Sequence, residues 1–193
     1  MTAPGRPQDA RVTRAVLDAA LTELAENGFR GSSMEAIARR AGVGKAALYR
    51  RWRSKAELVA AAVQAVSVSG APVPDTGSLR GDVRELLDGV VSWLDEARTR
   101  RIYPDLLAEG QRDPVLSAAL MEYVGTPRRE RAHAVLDRAA HRGELSPDAD
   151  RELVVDALGA LVFWRLIALN QPITAAHLDR IADAVVVLAQ GTR

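Results

Sequence analysis

Apolar residues recur along this chain at helical spacing, in segments divided by glycine, proline and serine, and alternation of apolar and polar positions is absent. The first segment predicts a helix from about Ala10 to Asn27. Val12, Ala15, Val16, Ala19, Ala20 and Ala25 form its apolar stripe, with Leu17, Leu21 and Leu24 beside it. Gly28 is its stop, because a left-handed residue costs glycine little. Ser32 or Ser33 caps a second helix, with Glu35 three residues after Ser32 as in a capping box. That helix buries Met34, Ile37, Ala38 and Ala41 and ends at Gly42. Gly44 opens a third helix over about 45–51, and Ser54 caps a fourth through Ser54-Lys-Ala-Glu57.

The stretch "SVSGAPVPDTGS", 67–78, is rich in breakers and marks a change of organisation. Beyond it, helices are expected at about 79–98, 101–110, 114–142, 148–169 and 174–190. Stops are expected at Arg101–Pro104, Asp113–Pro114, Gly143–Pro147 and Gln171–Thr174. Pro127 lies within 114–142 and should kink or break it. The fold class is all-α, and no internal repeat is visible.

Composition narrows the picture. Of 193 residues, 48% are hydrophobic, enough to bury a core, and none is cysteine, which excludes disulfides, zinc ribbons and thiol nucleophiles. No apolar run follows a basic start, and the longest apolar run, 153–169, is interrupted by Asp156 and Arg165. Neither a signal peptide nor a membrane span is expected, and the default compartment is the cytoplasm. The net charge of +1 hides an asymmetry: residues 1–60 carry 11 Lys/Arg against 6 Asp/Glu, and the remainder 15 against 19. Residues 36–56 hold seven bases (Arg39, Arg40, Lys45, Arg50, Arg51, Arg53 and Lys55) and no acid. A stretch of one sign inside a mixed chain suggests a polyanion partner.

The two helices 34–41 and 45–51, joined by Gly42-Val43-Gly44, have helix-turn-helix proportions. At 100° per residue, Leu48 and Trp52 point inward with Ile37 and Val43, and Ala46 and Arg50 lie opposite Leu48, flanked by Ala47 and Tyr49. That outer face suits a major groove. Alanines let the backbone approach, and Arg50 can pair bidentately with guanine. Lys45, Tyr49, Arg51 and Lys55 fan toward flanking phosphates, and Ser33 at the start of the second helix offers another phosphate site. Arg6, Arg11 and Arg14 are either an arm reaching DNA or a solvated N-terminus.

The run Gly28-Phe29, Ser33, Ile37-Ala38, Ala41-Gly42-Val43, Leu48-Tyr49, Trp52, Lys55 and Leu58 resembles the DNA-binding domain of the tetracycline-repressor (TetR) family, over about residues 9–60. The resemblance implies a three-helix DNA-binding domain at 9–56 and an effector-binding and dimerisation domain at 57–193. It implies that Lys45, Ala46, Ala47, Tyr49, Arg50, Arg51 and Lys55 face DNA. The position of Ala47 often carries Thr or Gly in the family, so a hydroxyl contact is lost there. Trp52 stands where Phe is common, in keeping with a core role.

The second half supplies a dimer surface. The sequence "VVDALGALVFWRLIAL" in helix 148–169 is apolar nearly all round, and helix 174–190 is similarly broad. Helices of this kind need covering on two sides, which two copies in an isologous four-helix interface can provide. Trp93, Tyr103, Met121 and Trp164 are candidate lining for a pocket holding a small apolar effector, as the resemblance also implies. His133, His141 and His177 show no metal-ligand spacing with a carboxylate or second histidine, and no catalytic constellation or cofactor motif is visible. The expectation is a homodimeric, non-enzymatic regulator on a palindromic DNA operator, most simply a repressor released by a small molecule. A non-specific DNA-compacting protein and a small-molecule-binding or enzymatic helical bundle are the alternatives.

Overall fold

The computed structural model describes residues 7–67 and 71–191. Arg6 and positions 68–70 of the expected loop lie outside these residues. Among these described residues, α-helices follow in order: α1 (Pro7–Gly31), α2 (Met34–Ala41), α3 (Lys45–Tyr49), α4 (Lys55–Val66), α5 (Leu79–Leu94), α6 (Ala97–Gly110), α7 (Pro114–Leu120), α8 (Thr126–His141), α9 (Arg151–Phe163) and α10 (Ala175–Gln190). Single π-helical turns, Met121–Gly125 and Trp164–Ala168, extend α7 and α9. No strand occurs among the described residues.

Local chemistry sets the ends. Gly28 takes φ 67°, breaking α1 where the glycine stop was expected. Ser33, not Ser32, caps α2: its hydroxyl accepts the Ala36 N–H at 3.1 Å, while the Ser32 hydroxyl donates to the Phe29 carbonyl at 2.8 Å. Ser54 caps α4 by accepting the Glu57 N–H, and Glu57 reaches back to the Arg53 N–H at 2.7 Å. These bonds satisfy donors that a helix start leaves open.

Two expectations are corrected and one is met. The stop at Arg101–Pro104 does not exist, because α6 runs through Pro104. The break falls at Asp95–Glu96, where the Glu96 carboxylate accepts the Thr99 N–H at 2.8 Å and starts α6. The α-helix expected over 114–142 is interrupted just before Pro127, as its missing N–H leads one to expect: α7 ends at Leu120, the π turn Met121–Gly125 follows, and α8 starts at Thr126. The helix expected from 148 starts at Arg151, with Asp150 as its cap accepting the Leu153 N–H at 3.0 Å.

The chain forms two compact units, residues 1–67 with 101–125, and 68–100 with 126–193. In the first unit α1 packs on α2 and α4, and α4 on α7. Val16, Leu21, Leu24, Ile37, Leu48, Leu58 and Val59 are buried, each contributing roughly 1.5–3 kcal/mol of hydrophobic free energy. In the second unit α5 packs against α8, α9 and α10, over Val83, Leu87, Val135, Leu136, Val154 and Val185. Its one fully buried carboxylate, Asp82, accepts from the Thr76 N–H (2.6 Å), the Thr76 hydroxyl (2.9 Å) and Arg142 (2.9 Å).

Candidate nucleic-acid interface

The interface candidate is built on α2 and α3. Gly42 adopts φ 67°, ψ 31°, and the N–H groups of Gly42 and Val43 close on the carbonyls of Arg39 (3.2 Å) and Ala38 (3.0 Å). That left-handed cap turns the chain at the end of α2. Ala38 is buried, so α3 can come close, and Ile37, Leu48 and Trp52 form the inner face. Val43, expected inside, is only half-buried. Although α3 proper is five residues, Arg50 keeps right-handed helical geometry (φ −71°, ψ −23°), and the Arg51 and Trp52 N–H groups both reach the Leu48 carbonyl at 2.9 Å.

This inner anchoring turns Lys45, Ala46, Tyr49, Arg50 and Arg51 outward as exposed side chains, while Ala47 is half-buried and contributes at its edge. Ser33 is half-buried at the start of α2, its hydroxyl committed to the cap. The Lys45 ammonium pairs with Glu35 and lies 5.6 Å from the Tyr49 ring centroid; this pairing raises the lysine's pKa and holds the Glu35 carboxyl below its usual range. Arg51 bonds Thr13 of α1.

Lys55 departs from the expected arrangement. Its side chain does not fan outward. The ammonium donates to the backbone carbonyls of Phe29 (2.6 Å) and Ser32 (3.0 Å) and sits 4.1 Å from the Phe29 ring centroid. Burial lowers its pKa. Arg40 is likewise turned to structure, bonding Glu23 at 2.7 Å and Glu26. Among the described residues, the side chains of Arg39, Arg50 and Arg53 form no ion pair and are exposed. Arg53 was legible only as a basic residue beside the motif. Arg50, Arg51 and Arg53 line one side of an open groove of about 890 Å³, faced by Val115 and Ala118 of α7 and by Tyr123. At its floor the Tyr123 hydroxyl donates to Glu57 at 3.1 Å, and burial and then that carboxylate raise the tyrosine's pKa.

The four pocket candidates do not share one buried setting. Tyr103 and Met121 belong to the first unit, Trp93 and Trp164 to the second. Trp93 is buried with the Arg128 guanidinium 4.1 Å over its ring, and Tyr103 is half-buried. Met121 and Trp164 are 56% and 62% exposed, so in the single chain they are surface residues and not pocket lining. Both sit on π turns. Among the described residues no group of three or more His, Cys, Asp or Glu is placed to hold a metal ion, and no helix is long and apolar enough to cross a membrane.

A helix-turn-helix whose second helix presents small and cationic side chains, followed by a wholly helical remainder, defines a DNA-binding transcriptional regulator. Comparison with known proteins carries this to the family. Residues 16–62 match the family model described as "Bacterial regulatory proteins, tetR family", and residues 73–185 match "Tetracyclin repressor-like, C-terminal domain". The chain is similar to a DNA-binding transcriptional repressor TetR of Mycobacteroides abscessus, at 35% identity over 189 residues, covering 97% of this chain and 96% of that one. Among solved structures it resembles the TetR family transcription regulator SCO0332 (TM-score 0.71, 28% identity, 91% and 96% coverage). It also resembles the flavonoid-responsive regulator FrrA (TM-score 0.66, 29% identity, 92% and 94% coverage). The chain belongs to the TetR family of transcriptional regulators.

Proposed function

We propose that this regulator is a homodimeric repressor that reads a palindromic operator through α3 and leaves it when a small-molecule effector binds. The observation that carries the reading is the face of α3. Leu48 and Trp52 lock the helix from beneath, and Ala46, Tyr49 and Arg50 stand exposed above. Ala46 lets the helix sink into a major groove, and Arg50 donates to a guanine edge. Lys45, Tyr49, Arg51 and Arg39 position it on phosphates, with Ala47 and Ser33 at the margin. Lys55 acts behind this face. Residues 9–56 serve as the DNA-binding domain and 57–193 as the effector-binding and dimerisation domain.

Dimerisation through α9 and α10 is supported by their exposed apolar residues. Leu153, Leu161 and Trp164 along α9 and its π turn, and Val187 on α10, are about half exposed or more in the single chain. Apolar surface of this size calls for a partner, and the exposed Gly159 and Ala160 permit close approach. The effector acts by binding more tightly to a spacing of the two α3 helices that does not fit the operator. Trp93 is the best-placed of the aromatic candidates to face it. The protein works by binding, not catalysis, in the cytoplasm.

The test is selection of bound duplexes from a random DNA pool by the purified protein at physiological salt. The expected result is an enriched palindrome with half-sites about one helical turn apart. Retention of DNA without enrichment would replace this reading by non-specific compaction. No retention, even after extensive dialysis to strip bound small molecules, would remove DNA from the proposal.

A further inference from the structure

The corner between α1 and α2 is held from two other helices through a single residue's backbone. Asp105 of α6 accepts the Phe29 N–H at 3.0 Å, and Lys55 of α4 donates to the Phe29 carbonyl at 2.6 Å. The Ser32 hydroxyl donates to the same carbonyl, and the Lys55 ammonium also takes the Ser32 carbonyl, one residue before the Ser33 cap. Arg30 adds an ion pair to Glu109 of α6 at 2.7 Å. The corner is tight: a Cβ on Gly28 would meet an Asp105 carboxylate oxygen at 3.3 Å.

An ammonium has three N–H donors. Two of those on Lys55 are spent on carbonyls, and the ring face of Phe29 occupies a further side of the cation. The cation also sits at the C-terminal end of α1, where helix carbonyls favour positive charge. One N–H remains, and a phosphate that drew the ammonium away from the corner would break its bonds to both carbonyls.

We propose that Lys55, together with Asp105, positions the α1–α2 corner for operator binding and is not a phosphate ligand. The inference rests on the DNA-binding reading above. The corner fixes where Ser33 starts α2, and α2 in turn sets α3 through the Gly42 turn. Lys55 and Asp105 thereby connect α4 and α6 to the orientation of the reading face.

The test uses the full-length variants Lys55→Met, which keeps the apolar stem, and Asp105→Ala, with active fraction and folding checked by titration and circular dichroism. Operator affinity is measured across a salt series, and amide exchange is measured in the absence of DNA. Lys55→Met is expected to weaken operator binding about tenfold with an unchanged slope of log K against log salt. Asp105→Ala, which removes the acceptor of the Phe29 N–H, is expected to weaken it several-fold, although removing a negative charge favours DNA on simple electrostatics. Both are expected to speed exchange at Phe29 and in the first turn of α2, without a general loss of protection. A slope shallower by about 0.9 per protomer for Lys55→Met would make it a phosphate ligand and overturn the proposal. Unchanged or tighter binding by Asp105→Ala would overturn it too, and this variant decides alone if Lys55→Met fails to fold. If the wild-type protein binds no operator, the DNA reading fails and with it this role, whereas the exchange data still report whether the two side chains hold the corner.

Discussion

Arg40 of α2 places its guanidinium 2.7 Å from the Glu23 carboxylate of α1, a group only 6% exposed. One of the seven bases in residues 36–56 is therefore a strut of the fold. A second, Lys55, holds backbone carbonyls, and a third, Lys45, is paired with Glu35. The bases that stay exposed without an ion pair among the described residues, Arg39, Arg50 and Arg53, are fewer than the charge count suggests.

Arg40→Met leaves Glu23 without its cation and is expected to lower the urea midpoint of unfolding at neutral pH. The Arg40 hydrogen bond holds the Glu23 carboxyl below its ordinary range against the opposing effect of burial. Stability from a depressed carboxylate is present above its unfolded pKa and is lost as pH falls through the folded value. The difference between wild type and variant should therefore shrink below about pH 4. Urea unfolding across pH 3–7 measures it.

Asp82→Asn should destabilise the second unit by about 1–3 kcal/mol, because a fully buried charge-assisted network loses its anion. Burial pushes the Asp82 pKa up, but the bonds from Thr76 and Arg142 prevail and hold it low. The sign is the same as for Glu23: the loss fades in acid. Thermal unfolding at pH 7 and at pH 3 provides the comparison.

Gly42→Ala is expected to cost about 1–2 kcal/mol, since φ 67° is left-handed and a Cβ there meets nothing within 4 Å that would add a clash. Gly44→Ala is the control: φ −70° and open space predict little change in melting temperature.

Arg50→Ala should lower discrimination at one base pair of each half-site by about 1–3 kcal/mol. Affinity for operator duplexes substituted at single positions reads this out. An even loss across all duplexes would show a phosphate contact instead.

Trp164→Glu, on the exposed side of the π turn after α9, should convert the dimer to monomer in sedimentation and weaken binding to the full palindrome far more than to a half-site. A variant that sediments as a dimer would move the interface elsewhere.

Much of this was legible in the chain. Helix starts and stops at Gly28, Gly42 and Ser54 could be read because they depend on a residue's own backbone freedom or on a hydroxyl three residues away. The inner face of α3 could be read from Leu48 and Trp52 because helical periodicity is local. The stop at Arg101–Pro104 was misread because a proline's cost in a helix can be outweighed by burial of its neighbours, here Ile102 and Leu106. That Met121 and Trp164 are exposed in the single chain was not legible, because burial depends on which distant helices pack nearby.

By itself the sequence determined the helical class and the helix-turn-helix, since these follow from spacing within a few turns of chain. Tertiary structure decided which charges remain available. Lys55 finds Phe29 across 26 positions, Arg40 finds Glu23 across 17, and Asp105 finds Phe29 across 76. Such pairings form because a polar group taken from water must find a partner, and only packing of distant helices determines which partner is within reach.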